Sequence, residues 1–110
     1  MTKITSKELV LLEKCHVTVH YLKTWPEHYD DVESGRKKAE LRKNDRKFKV
    51  GDYLVLQRWE PNLEQFTGEN ELLLISHVLH GGSFGLETGH AMLSFYHPDL
   101  RFLYYKNIKT

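Results

Sequence analysis

The segment GRKKAELRKNDRKFKVGD, residues 35–52, decides how the chain is to be folded. Gly35 reads as the residue that ends a helix, because a residue just past a helix end adopts a left-handed backbone that glycine takes without strain. Lys37–Lys43 then reads as a strand, with Ala39 and Leu41 on one face and Lys38, Glu40 and Arg42 on the other. Asn44, Asp45 and Arg46 follow as an ordered turn, since Asn and Asp side chains bond nearby backbone. Lys49–Asp52 closes the segment as a type II turn, with Gly51 supplying the positive φ.

The same segment concentrates the charge. Residues 36–49 hold eight of the 16 Lys and Arg against two acids, Glu40 and Asp45, so this window carries +6 and the remainder −5. A nearly neutral chain with one strongly basic stretch attracts a polyanion or phosphate locally without becoming basic throughout. A solvated lysine run is the plain alternative. It does not account for Glu40 and Arg42 sharing a strand face, where an exposed pair adds at most about 1 kcal/mol.

Upstream, Thr5 and Glu8 have the spacing of a capping box, which predicts a helix over residues 6–14. His16–Leu22 alternates and is β-branched, as a strand is. Thr24 and Glu27 suggest a second capping box, with Pro26 in the first turn of a helix that reaches Gly35. Trp25, Tyr29 and Val32 fall at helical spacing and form its predicted buried stripe, leaving Glu27, Asp30, Asp31 and Glu33 to solvent.

Downstream, Tyr53–Trp59 is apolar on both faces and predicts a central strand. Pro61–Asn70 reads as a polar loop, Glu71–Leu79 as a strand, Gly81–Gly85 as a flexible loop closed by Gly89, and His90–Tyr96 as a strand broken by Pro98. Arg101–Ile108 reads as a last strand or a packed tail. About five or six strands with one or two short helices give an α+β, mainly β class and a small antiparallel or mixed barrel.

At 110 residues the chain is one domain. Its single cysteine, Cys15, fits a reducing, cytoplasmic setting. No apolar run approaches the roughly 20 residues of a membrane span, and the N-terminus lacks an apolar signal core, so no membrane partner is expected. His16/His20 and His77/His80 lie on predicted strands, not on a helix face where such spacing converges on one ion, so neither a metal site nor a cofactor is expected. Ser83, Ser94 and Cys15 have no nucleophile-elbow context. Oligomeric state is left open; Tyr104 and Tyr105 read as core or as a contact between copies.

The run from His20 to Asp52 resembles the ASCH superfamily, in particular its small stand-alone bacterial and phage branch. Leu22-Lys23, Trp25-Pro26, the Gly35-x-Lys37 step, Glu40-x-Arg42, Asn44-Asp45-Arg46 and Gly51-Asp52 carry the likeness. Phe66-Thr67-Gly68 and Gly85-Leu86-x-x-Gly89 extend it, so that it covers residues 17–96. The resemblance implies a PUA-like β-barrel with a cleft beside the first barrel helix, and an RNA or nucleotide ligand. A related group, small amidohydrolases that deacylate acetylcytidine, uses the Lys of the Gly-x-Lys step with a Thr three residues later and a Glu from a later segment. Here the Lys is Lys37, Glu40 stands where the Thr would be, and Glu71 and Glu87 are candidates for the later Glu.

Three functions follow as expectations. The first is a binding module whose basic cleft, lined by Lys23, Lys37, Glu40, Arg42, Asn44, Asp45 and Arg46, takes RNA or a nucleotide-like molecule. In it Arg42 and Arg46 grip phosphate or a base edge, Asn44 and Asp45 order the loop, and Trp25 is either a stacking platform or buried. The second is a small hydrolase acting on an acylated or modified nucleoside or on RNA, with Lys37 as base or nucleophile and Glu40 as its partner. The third is a protein-interaction module built on the aromatic tail.

Overall fold

A computed structural model of the chain describes residues 3–108, with side chains to residue 104. Its elements are α1 (Ser6–Glu13), β1 (Val19–Thr24), α2 (Pro26–Glu33), β2 (Ala39–Lys43), β3 (Tyr53–Glu60), β4 (Gln65–His80), β5 (His90–Tyr96) and α3 (Arg101–Ile108). The class is α+β and mainly β. The five strands form one mixed sheet in the order β1-β3-β4-β5-β2. β1 runs parallel to β3, from Val19 opposite Tyr53 to Thr24 opposite Arg58, and the other pairs are antiparallel.

The sheet is not closed into a barrel, contrary to the sequence expectation. No ladder joins its two edge strands, β1 and β2. Two arginine side chains, Arg42 of β2 and Arg46 of the turn after it, reach β1 instead. Arg42 Nη2 donates to the Lys23 carbonyl at 3.5 Å, and Arg46 Nη1 donates to the Tyr21 carbonyl at 2.6 Å. These two carbonyls lie two residues apart on β1, so they point the same way. Side chains thus occupy acceptors that a neighbouring strand would otherwise take.

Both faces of the sheet are covered at its centre. Leu54, Leu56, Leu73, Ile75, Leu93 and Phe95 meet Tyr29 and Val32 of α2 on one face. Val55 and Leu72 meet Leu12 of α1 and Leu103 of α3 on the other. β3 therefore needs apolar residues on both sides, which is the pattern its sequence shows. It lies inside the sheet, between β1 and β4.

Several local expectations are corrected. β1 starts three residues later than His16, because His16 turns the chain out of α1 with φ 57°. Thr24 caps nothing: it is the last, buried residue of β1 and donates its hydroxyl to the Leu22 carbonyl. Trp25 is the α2 N-cap, forms no side-chain cap, and stays 48% exposed, so the buried stripe is Tyr29 and Val32 alone. The Thr5–Glu8 capping box does form, with Glu8 N–H to Thr5 Oγ1 at 3.2 Å and Thr5 N–H to Glu8 Oε1 at 3.0 Å. Gly35 ends α2 as expected, at φ 82°.

The polar stretch 61–70 is no loop. Residues 61–64 turn, with Glu64 at φ 50°, and β4 begins at Gln65. The first residues of β4 are exposed, so no apolar alternation marks them as a strand. Phe66 packs edge-on against Trp59 of β3, ring centroids 4.9 Å apart, and this cross-strand pair holds the ribbon. The tail is likewise no strand. α3 follows Asp99, whose Oδ1 accepts the Arg101 N–H at 2.9 Å. Leu103 is buried against α1, and the Phe102 ring stacks on Tyr53. Packing has overruled the β propensity of an aromatic run. Tyr104 is half exposed and donates to Glu8 Oε2 at 2.8 Å, whereas the Tyr105 side chain lies outside the described residues.

Tyr29 is fully buried, and its hydroxyl has no hydrogen-bond partner among the described residues. Burial also pushes its ionisation well above the usual tyrosine range. An unpaired buried hydroxyl costs desolvation and returns nothing. Tyr29→Phe is therefore expected to leave stability unchanged or raise it by about 1 kcal/mol. Urea denaturation of the two proteins checks this, and a loss of stability would show that the hydroxyl has a partner.

Candidate functional site

β2 turns its charged face inward. Glu40 is opposite Leu93 and Arg42 opposite Ala91, both partners fully buried, while Leu41 points out and is 57% exposed. Glu40 keeps only 8% of its surface, a burial that carboxylates tolerate when paired. Its partners are Arg42 Nε at 3.1 Å from Oε2 and Lys37 Nζ at 3.7 Å from Oε1. Lys37 Nζ also lies 3.5 Å from His28 Nδ1.

These groups border a hollow of about 560 Å³ lined by His28, Lys37, Glu40, Leu41, Arg42, Lys43 and His90. Its lining holds three cations and two imidazoles against one carboxylate, with Lys43 and His90 coming from the outward face that Leu41 also shows. The excess is positive, in a concave place where surrounding low-dielectric walls concentrate the field. Lys37 is positioned by its backbone N–H, which donates to the Asp31 carbonyl of α2 at 2.9 Å.

The loop after β2 is ordered by Asn44. Its Oδ1 accepts the Phe48 N–H at 3.1 Å, and its own N–H donates to the Gly89 carbonyl at 2.8 Å. Asp45 stands exposed in the turn. Arg46 is committed to β1, as described above, and Arg42 is shared between Glu40 and Lys23. Each guanidinium has five N–H groups, so donors remain for a ligand.

Of the predicted site residues only Lys37, Glu40 and Arg42 line the hollow; Lys23, Trp25, Asn44, Asp45 and Arg46 do not. The Lys23 ammonium sits 4.0 Å from the Trp59 ring centroid, a cation–π contact with β3. His28, Lys43 and His90 are the site residues that sequence reasoning missed. His90 opens β5 and is brought opposite Lys43 by strand pairing. No local pattern encodes that neighbour. Of the two later glutamates, Glu71 is buried with Oε1 3.2 Å from His97 Nδ1, whereas Glu87 Oε2 lies 3.9 Å from His90 Nδ1 and so adjoins the hollow.

His20 Nε2 lies 2.8 Å from Asp52 Oδ2, and its ring packs edge-on against Phe48. That pair ties β1 to the turn before β3. Among the described residues no three His, Cys, Asp or Glu side chains are grouped to hold a metal ion. None of their helices is long and apolar enough to cross a membrane.

Residues 19–95 match the family model described as a domain of unknown function, DUF3850. A stretch of 50 residues is 40% identical to a protein of Escherichia phage P2 described as "Uncharacterized 12.9 kDa protein in GpA 3'region". That match spans 46% of this chain and 44% of the phage protein, less than half of either.

Proposed function

The chain belongs to the DUF3850 family, and from that premise we propose that it binds RNA or a nucleotide-like anion in the hollow beside β2. One observation carries the reading. The alternating residues Glu40 and Arg42 face inward and border a concavity with an excess of positive charge. Arg42 offers its free donors to phosphate or a base edge, Glu40 holds that guanidinium in place, and Lys37, Lys43 and the two histidines add charge and hydrogen bonds around it. The likeness of residues 17–96 to the ASCH superfamily supports the same proposal. The open sheet, with Arg42 and Arg46 reaching β1, would be a variant of the PUA-like barrel.

The test is titration of labelled RNA with the purified protein at several salt concentrations. Affinity is expected to fall steeply with salt, because phosphate contacts release counterions. Binding that ignores salt, or no binding to any RNA, would refute the proposal.

A second reading rests on Lys37. Its ammonium within 3.5 Å of His28 Nδ1 and 3.7 Å of Glu40 is an arrangement able to move a proton. In this reading the protein deacylates a modified nucleoside such as acetylcytidine, or cleaves RNA. Incubation with each substrate is expected to show turnover that Lys37→Ala lowers by about 100-fold or more. Equal turnover in the variant would remove Lys37 from the chemistry.

A further inference from the structure

The loop between β4 and β5 carries Phe84 at its tip. Phe84 is 91% exposed and holds a left-handed backbone, φ 53°, which bulky residues avoid. The loop is nonetheless firmly built. Gly81 N–H donates to the His90 carbonyl, Gly82 N–H to Leu86, Leu86 N–H to Ser83 and His90 N–H to Glu87, all between 2.8 and 3.1 Å. Gly81 is packed so closely that an added Cβ would lie 1.9 Å from the Glu87 carbonyl oxygen. A braced loop thus holds an aromatic ring in water, which is costly both in backbone conformation and in apolar exposure.

What surrounds the loop identifies the occupant. It leaves the sheet at His80 and returns at His90. His90 lines the hollow beside β2. His80 lines a second hollow, of about 440 Å³, with Asn44, Lys47 and Lys49 beside the apolar Phe48, Val50 and Val78. The two ends of the loop thus border two concavities that each hold lysines, the Asn44 N–H bond to Gly89 ties the loop to the turn after β2, and Phe84 stands at the tip outside both linings. A ligand with successive phosphates can meet the cations of both hollows, and the group such a ligand offers to an exposed aromatic face is a base freed from pairing.

We infer that Phe84 is a stacking platform for an unpaired nucleobase and that the Lys47–Lys49–His80 hollow holds a neighbouring phosphate, so that the ligand is a single-stranded nucleic acid rather than a mononucleotide. This rests on the anion-binding reading of the hollow beside β2 and adds a second anchor to it. Bases of either sugar have the same stacking face, so RNA and DNA are tested side by side.

The experiment measures fluorescence anisotropy of short single-stranded oligouridine and oligothymidine, a hairpin duplex, and uridine monophosphate as competitor. Wild-type protein is expected to prefer the single strands and to be displaced poorly by the mononucleotide. Phe84→Ala is expected to weaken single-strand binding about tenfold, with Phe84→Trp retaining it. Lys47→Ala combined with Lys49→Ala is expected to lower the salt slope by about one. If Arg42→Ala weakens binding while Phe84→Ala and the lysine variant match wild type, the platform is refuted and the hollow beside β2 stands. If no oligonucleotide binds wild type, both fall. Sedimentation adds one more outcome: a wild-type dimer that Phe84→Ala dissociates would assign the ring to self-association and overturn the inference.

Discussion

Replacing Arg42 by alanine is expected to cost about 2–3 kcal/mol of stability as well as ligand affinity. The reason lies in Glu40. Its carboxylate is 8% exposed and has two charged partners, Arg42 and Lys37. Removing one partner from a buried pair leaves a charge with too little compensation, which costs about 3–5 kcal/mol in fully buried cases. Here Arg42 keeps 29% of its side-chain surface and Lys37 remains, so the loss is smaller. Arg42 also donates to the Lys23 carbonyl, and the variant loses that bridge between the sheet edges. Arg42→Lys is expected to recover only part of the loss, because one ammonium cannot reproduce the planar fork. Adding Glu40→Gln to Arg42→Ala is expected to restore about half of the stability, since a neutral amide needs no counter-charge. Urea denaturation of wild type, Arg42→Ala, Glu40→Gln and the double variant closes the cycle, with Arg42→Lys measured beside it. A double variant no more stable than Arg42→Ala would mean that Glu40 is not the source of the cost.

Gly81→Ala is expected to be the most damaging small substitution in the chain, at about 3 kcal/mol or more. The added Cβ would meet the Glu87 carbonyl carbon and oxygen and the His90 carbonyl oxygen within 3 Å, all of them backbone atoms. Backbone cannot rotate aside as a side chain can, so the loop must be rebuilt and Phe84 displaced. Gly85→Ala makes the comparison. Gly85 has φ 77° and open space around it, so alanine there pays only the left-handed penalty of about 1–2 kcal/mol. Thermal unfolding of both variants distinguishes close contact from conformational strain. Equal losses at the two positions would show that the loop adjusts around Gly81.

How much was legible in the sequence follows from the range of each interaction. The Thr5–Glu8 box, the Gly35 helix end, the Gly51 turn and the Asn44-ordered loop all depend on residues within a few positions of each other, and all are present. The alternation of β2 was legible for the same reason. A cleft beside its charged face was expected from the Glu40–Arg42 spacing, but what lies under that face was not legible. The strand is set by its pairing with β5, which puts Glu40 and Arg42 over Leu93 and Ala91.

The hairpin tip at residues 61–70 and helix α3 misled for opposite reasons. The first is a strand without a buried face, so it has no hydrophobic period. The second has β-favouring aromatics that find their places on α1 and Tyr53 as a helix.

Sequence alone determined the class of the fold, the strand–helix–strand opening and the concentration of eight cations between residues 36 and 49. Those depend on periodicity, turn chemistry and charge, which are properties of neighbours along the chain. Only the tertiary structure decided that the sheet stays open, that Arg42 and Arg46 reach across to β1, and that His28 and His90 join Lys37, Glu40 and Arg42 around one hollow. Those depend on which strands lie side by side, and strand pairing is chosen by how the whole core is buried.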